Sequence, residues 1–157
     1  DLNIDSFPNP KLQPEEFIKS FPPVFCSPLY SPQLPEWSKS NFRWHRKISA
    51  SDYSKNLNNI KNIGTLKSIK ILERGYSGRI IKARFIGAID SLEITGELKI
   101  RQTLSPPLRS SNFVWNISND TIYFSGAGWG HGVGMCQSGA IGRAHKGFSC
   151  KEILLSY

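Results

Sequence analysis

Eight of the ten prolines in this 157-residue chain fall within residues 1–38, and that clustering limits the fold more than any other feature. Each proline removes an amide donor and fixes φ, so the stretch cannot be a central strand or a long helix. We expect residues 1–38 to be an extended arm or linker and the remaining domain to occupy residues 39–157. Within the arm, only Pro14 to Phe21 opens like a helix, with proline and two acids in its first turn. Apolar Phe17, Ile18, Phe21, Val24 and Phe25 are expected to lay the arm on a surface.

From Asn41 the texture changes to apolar and polar residues in alternation. Phe42 to Ile48 reads as a half-buried strand, with Phe42, Trp44 and Arg46 on one face and Arg43, His45 and Lys47 on the other. Ser49 to Asp52, followed by Tyr53, Leu57 and Ile60, reads as a capped short helix. Lys67 to Glu73 and Arg79 to Ile86 form a hairpin around Gly75-Tyr76-Ser77-Gly78, whose glycines supply unusual φ angles. Leu92 to Thr95 is a third strand, and Gly96 to Leu104 a helix ended by Pro106-Pro107. Asn112 to Ile117 and Thr121 to Ser125 are two further strands about a tight Ser118-Asn119-Asp120 turn. Met135 to His145 and Lys151 to Tyr157 carry helical spacing, with Gly147 capping the first. The pattern specifies an α+β domain with a mainly antiparallel β-sheet and a few short helices, preceded by the proline-rich arm. It contains no internal repeat.

No apolar run approaches the roughly 20 residues of a membrane span. The opening DLNIDSFPNP carries neither an initiator Met nor a signal peptide, so the chain is expected to be a piece of a longer protein. A net charge of +8 favours acidic polymers, but no block of five or six like charges occurs. A nucleic-acid surface would need basic residues interleaved with exposed aromatics. Only Phe42 to Arg46 fits, and its alternation sends Phe42 and Trp44 to the core. No nucleic-acid partner is expected. Three cysteines, Cys26, Cys136 and Cys150, leave at least one thiol unpaired within the chain. His131 and Cys136, like His145 and Cys150, are of metal-ligand type, but their spacing is not that of a short zinc knuckle, and no metal is expected.

The chemistry concentrates in GAGWGHGVGMCQSGA, with glycine at 126, 128, 130, 132, 134 and 139. The dinucleotide fingerprint fails in every frame and the Walker lysine is absent, so neither a phosphate cradle nor a nucleotide cofactor is expected. Alternate glycines bring backbone close to a ligand or to another strand. Trp129 offers a flat face for a sugar ring or for core packing, His131 can carry a proton near neutral pH, and Gln137 can donate and accept together. A tightly packed structural loop in which His131 is a satisfied hydrogen-bonding residue fits the same pattern.

From Gly126 to Tyr157 the sequence resembles the C-terminal signature of the SpoIID/LytB family, in which alternate glycines run into GHGVGMSQ and a GA pair, then a helix of small residues, then EIL and a closing Tyr. The resemblance reaches back through Phe42 and Trp44, Glu73-Arg74, Ser77-Gly78-Arg79, Gly96, Arg101, Leu108-Arg109-Ser110 and Phe113, and covers about residues 38–157. Cys136 stands where serine is usual and Cys150 where tyrosine is common, so both positions carry oxidisable thiols.

The resemblance implies a bacterial cell-envelope protein, periplasmic or extracytoplasmic, acting on peptidoglycan glycan strands. It implies either a lytic transglycosylase that cuts peptide-stripped strands to 1,6-anhydro ends or a LytB-like module that assists an amidase or another cell-wall hydrolase. By the same resemblance Trp129, His131, Gly132, Gly134, Met135 and Gln137 line the substrate cleft. The family's acid/base residue precedes a helix patterned A-x-K-A-Q-A-V-A-A-R-T-Y, which this chain lacks, so the catalytic acid is expected upstream of Asp1. Glycosidic cleavage needs a carboxyl group of raised pKa in a cleft. Glu15, Glu16, Asp90, Glu93, Glu97 and Glu152 all stand in arm, strand-flanking or helix-start positions that have bland explanations.

Overall fold

In the computed structural model, which describes residues 14–157, the chain is α+β. Arm residues 1–13 lie outside the described residues. The helices are α1 (Pro14–Lys19), α2 (Glu36–Phe42), α3 (Ala50–Asn58), α4 (Glu97–Arg101), α5 (Gln137–His145) and α6 (Cys150–Leu155). The strands are β1 (Arg43–Ser49), β2 (Leu66–Arg74), β3 (Ile80–Gly87), β4 (Ser91–Thr95), β5 (Phe113–Ser118) and β6 (Thr121–Ala127). They form two antiparallel sheets of order β1-β6-β5 and β2-β3-β4.

Local chemistry accounts for most boundaries. Ser49 caps α3 by accepting from the Asp52 amide, and Asn119 and Asp120 take φ of 46° and 56° to close the tight β5–β6 turn. Gly147, at φ 87°, follows the last residues of α5 as a left-handed cap. One core joins the sheets. Tyr53 of α3 meets Phe85 of β3 and Phe124 of β6 edge-on, with centroids 6.0 and 5.8 Å away, and Phe113 of β5 stacks on Phe124 at 5.2 Å. The Tyr53 hydroxyl is satisfied by Thr103 Oγ1 at 2.6 Å, so the aromatic cluster leaves no orphaned phenol.

Three expectations are corrected. The strand expected from Phe42 begins at Arg43. Phe42 instead ends α2, a helix the proline-dominated reading did not place, which starts after Pro35 and carries a Glu36–Lys39 ion pair at 2.8 Å. The helix expected over Gly96 to Leu104 is only Glu97–Arg101, because Thr103 and Leu104 turn into the core. Similarly, α5 starts at Gln137 rather than Met135.

From Pro14 onward the arm is laid on the domain. The Arg43 guanidinium donates to the carbonyls of Phe17, Ile18 and Ser20 at 2.7–3.0 Å, closing the open end of α1, and sits over the rings of Phe17, Phe21 and Phe42. Further along, Phe25 stacks edge-on with Phe148 at 5.5 Å, and its carbonyl lies where a side chain on Gly142 would stand. Segment 22–31 is thereby held against α5.

Candidate functional site

The glycine-rich loop leaves β6 and crosses to α5, and its first half is tied down at four points. Gly128 N–H donates to the Phe42 carbonyl at 3.3 Å and Gly130 N–H to the Arg109 carbonyl at 2.8 Å. In the other direction, Trp44 Nε1–H donates to the Gly128 carbonyl at 3.0 Å, and Arg79 Nε–H to the Gly130 carbonyl at 2.8 Å. Gly128, Gly130, Gly132 and Gly134 all have φ between 70° and 82°, the left-handed region that disfavours a side chain. At Gly132 a Cβ would also overlap the Arg79 guanidinium, so the loop is both wound and packed there.

Beneath the loop lies a cavity of about 760 Å³, walled by the arm, α2, Arg79 and the loop itself. Trp129, His131, Gly132, Gly134, Met135 and Gln137 all line it. Trp129 is exposed, with the Arg109 guanidinium 5.9 Å from its ring. His131 Nδ1 accepts from the Val133 amide at 3.0 Å, which leaves Nε2 as the nitrogen that can address a ligand. The polar loop reading and the structural loop reading therefore divide this one ring between them. A second cavity of about 490 Å³ lies between α1 and the β1-β6-β5 sheet, away from the loop.

Sequence reasoning did not place Cys26, Trp37 or Arg79 at this site, yet all three line the cavity. Arg79 had a signal, since it stands in the Ser77-Gly78-Arg79 turn that the resemblance covers. Just after that turn the Ile80 amide donates to the carbonyl of Ser111, in the segment leading into β5, at 3.1 Å, and the Arg79 guanidinium reaches the Gly130 carbonyl. Cys26 and Trp37 had none, because the proline-rich stretch gave no periodicity to orient them.

At the loop's far end, Cys136 caps α5, its sulfur accepting from the Gly139 amide at 3.3 Å. The Cys26 thiol hydrogen-bonds to it. That bond, the Gly139 and Ser138 amides and the nearby Arg79 charge outweigh partial burial and lower the Cys136 thiol to about 6. The same bond and burial push the Cys26 thiol up, so the pair holds one proton firmly on Cys26. The two His and Cys pairs do not gather into a metal centre. Among the described residues no group of three or more His, Cys, Asp or Glu side chains converges on one point.

The described carboxylates sit elsewhere. Asp90 is paired with Lys61 at 2.7 Å, Glu93 with Lys82 and Arg84, and Glu152 closes the capping box of α6 with Ser149. Each of these is held below its ordinary range by its hydrogen-bonded partner, the reverse of what a general acid requires. Glu97 accepts from the Ser111 amide at 3.2 Å and lies 3.5 Å from Arg101, a half-buried bracing role beneath the loop.

Such an arrangement, an aromatic-lined cleft under a glycine-wound loop on an α+β scaffold, suits binding of a polar, flat-faced ligand. The chain belongs to the family described as Domain of unknown function (DUF8618), which matches residues 30–134. It is 38% identical over 116 residues to an uncharacterized protein of Brachyspira hyodysenteriae, a match covering 73% of this chain and 30% of that protein. It is 43% identical over 58 residues to stage II sporulation protein D of Bacillus amyloliquefaciens, covering 37% of this chain and 16% of that protein. The matches thus span less than a third of the length of either relative. The expected SpoIID/LytB resemblance is met by a partial match to one such protein.

Proposed function

We propose that the cavity beneath the glycine loop binds a stretch of peptidoglycan glycan strand, and that the chain is the cleft wall of a cell-envelope lytic transglycosylase of the SpoIID kind. The observation carrying this reading is the convergence of Trp129, His131 and Gln137 on one cavity in a chain that partly matches stage II sporulation protein D. Trp129 and Trp37, both half exposed, offer flat faces to sugar rings, while His131 Nε2 and the Gln137 amide address hydroxyl groups. In the proposed cut a carboxylic acid protonates the glycosidic oxygen as its bond to the anomeric carbon breaks. The sugar's own 6-hydroxyl then bonds to that carbon and gives its proton to the carboxylate, so a 1,6-anhydro end forms and no water is consumed.

Among the described residues no carboxylate lines the cavity. In this reading the acid comes from a part of the protein beyond this chain. The same observation favours a second reading, a non-catalytic glycan-binding module that enhances an amidase. Digestion of peptide-stripped glycan strands by the full-length protein, with mass spectrometry of the ends, separates the two. Anhydro ends are expected from a transglycosylase, whereas strand retention without new ends supports the binding module. Neither retention nor new ends would overturn both.

A further inference from the structure

Cys26 and Cys136 come from segments about 110 residues apart, yet both line the wall of one cavity, where the Phe25 carbonyl packs against Gly142 of the helix that Cys136 caps and brings the Cys26 thiol beside Cys136. Cys136 is exposed to solvent and stands at the first turn of α5, whereas Cys150, also exposed, lies at the start of α6 and is no part of that wall. The surroundings of Cys136 favour the thiolate, the form that attacks a disulfide. The Gly139 amide points at its sulfur and Arg79 supplies positive charge, while Tyr157 Oη–H is engaged with the Cys136 carbonyl at 3.1 Å rather than with the sulfur. Cys26, half-buried on the same cavity wall, is placed as the thiol that resolves an adduct.

We propose that Cys26 and Cys136 are a covalent modification site, forming a reversible disulfide by exchange with a small-molecule disulfide, and that the bond clasps segment 22–31 to the first turn of α5 at the cleft wall. The Cys136 thiolate attacks one sulfur of the small disulfide, a new S–S bond forms, and one small thiolate leaves. Cys26 then attacks the Cys136 sulfur, expels the second small thiolate, and its proton passes to the departing group. Two protein thiols are oxidised and one small disulfide is reduced to two thiols, which balances electrons and protons. The exchange needs nothing from glycan binding, and stands whether or not the cleft holds a strand.

The test equilibrates the protein without oxygen in glutathione buffers of graded oxidised-to-reduced ratio, quenches with acid, alkylates, and maps peptides by mass spectrometry. A single cross-linked species joining Cys26 to Cys136 is expected to rise with the oxidised fraction, with Cys150 outside it. In Cys26→Ser, Cys136 is expected to stop as a glutathione adduct; Cys150→Ser should behave as the unsubstituted protein. Because the cross-link would close a loop of about 110 residues, the oxidised protein should melt roughly 10–19 °C above its own reduced form. Separate alkylation of Cys26 and Cys136 across the whole series, or a Cys136 adduct that persists in the unsubstituted protein, would overturn the proposal. Both of these readouts use the unsubstituted protein, so they decide the matter even if a variant fails to fold.

Discussion

Adding one methyl group at Gly126 should unseat the loop from the sheet. A Cβ there would overlap Cζ2 and Cε2 of Trp44 and lie 2.7 Å from Cη2. Carbon atoms pack at about 3.5–4.0 Å, so the indole must move by an ångström or more. It has little room, because Trp44 is buried and its Nε1 is engaged with the Gly128 carbonyl at 3.0 Å. Overpacking of this kind costs about 1–3 kcal/mol, and loss of the indole hydrogen bond adds about 1 kcal/mol. For a chain of this size each kcal/mol lowers the melting midpoint by about 2–4 °C, so Gly126→Ala should melt roughly 4–16 °C early. Urea unfolding of Gly126→Ala alone and in a Trp44→Leu background measures the coupling. The penalty should fall below about 1 kcal/mol once the ring is gone. Equal penalties in both backgrounds, or no penalty in the first, would refute the argument that Gly126 exists to admit Trp44.

Gly134→Ala meets no atom within 4 Å and violates only the positive φ of 82°, so it should cost about 1–2 kcal/mol by the same urea assay. Tyr53→Phe removes the buried hydrogen bond to Thr103 Oγ1, which still donates to the Ile100 carbonyl; a loss of about 0.5–1.5 kcal/mol is expected on unfolding. Alkylation of Cys136 by iodoacetamide should follow the thiolate, rising with pH and half-maximal near pH 6, because its pKa is depressed; Cys26→Ala removes the donor that chiefly depresses it and should move the midpoint up. Peptide mapping across a pH series reads both, and an unchanged midpoint in Cys26→Ala would contradict the assigned hydrogen bond. Ser149→Ala removes the cap of α6 and should lower stability by about 1 kcal/mol in a thermal scan.

Where side-chain pattern and turn chemistry acted together, the sequence was legible. The β2–β3 hairpin, the Asn119-Asp120 turn and the Ser49 cap each rest on neighbouring residues, and each stands where the pattern placed it. α2 was not legible, because Pro35 reads as arm while acting here as the residue before a helix whose buried face, Asn41 and Phe42, is defined only by distant partners. The cavity divides in the same way. Alternate glycines announced a close-approach loop, but which atoms it approaches depended on Trp44 and Arg79, which lie over 80 and about 50 residues away. The meeting of Cys26 with Cys136 had no local signal at all, since an odd cysteine count leaves every pairing open.

Titration of purified, peptide-stripped glycan strands into the protein and its Trp129→Ala, His131→Ala and Gln137→Ala variants tests most directly whether the loop lines a glycan site. If it does, each variant should bind about five- to thirteenfold more weakly, since one lost polar or stacking contact is worth about 1–1.5 kcal/mol. The melting midpoint should stay within a few degrees, because these exposed side chains add little to the core. Strand affinity unchanged in all three variants, with their folds intact, would contradict the account.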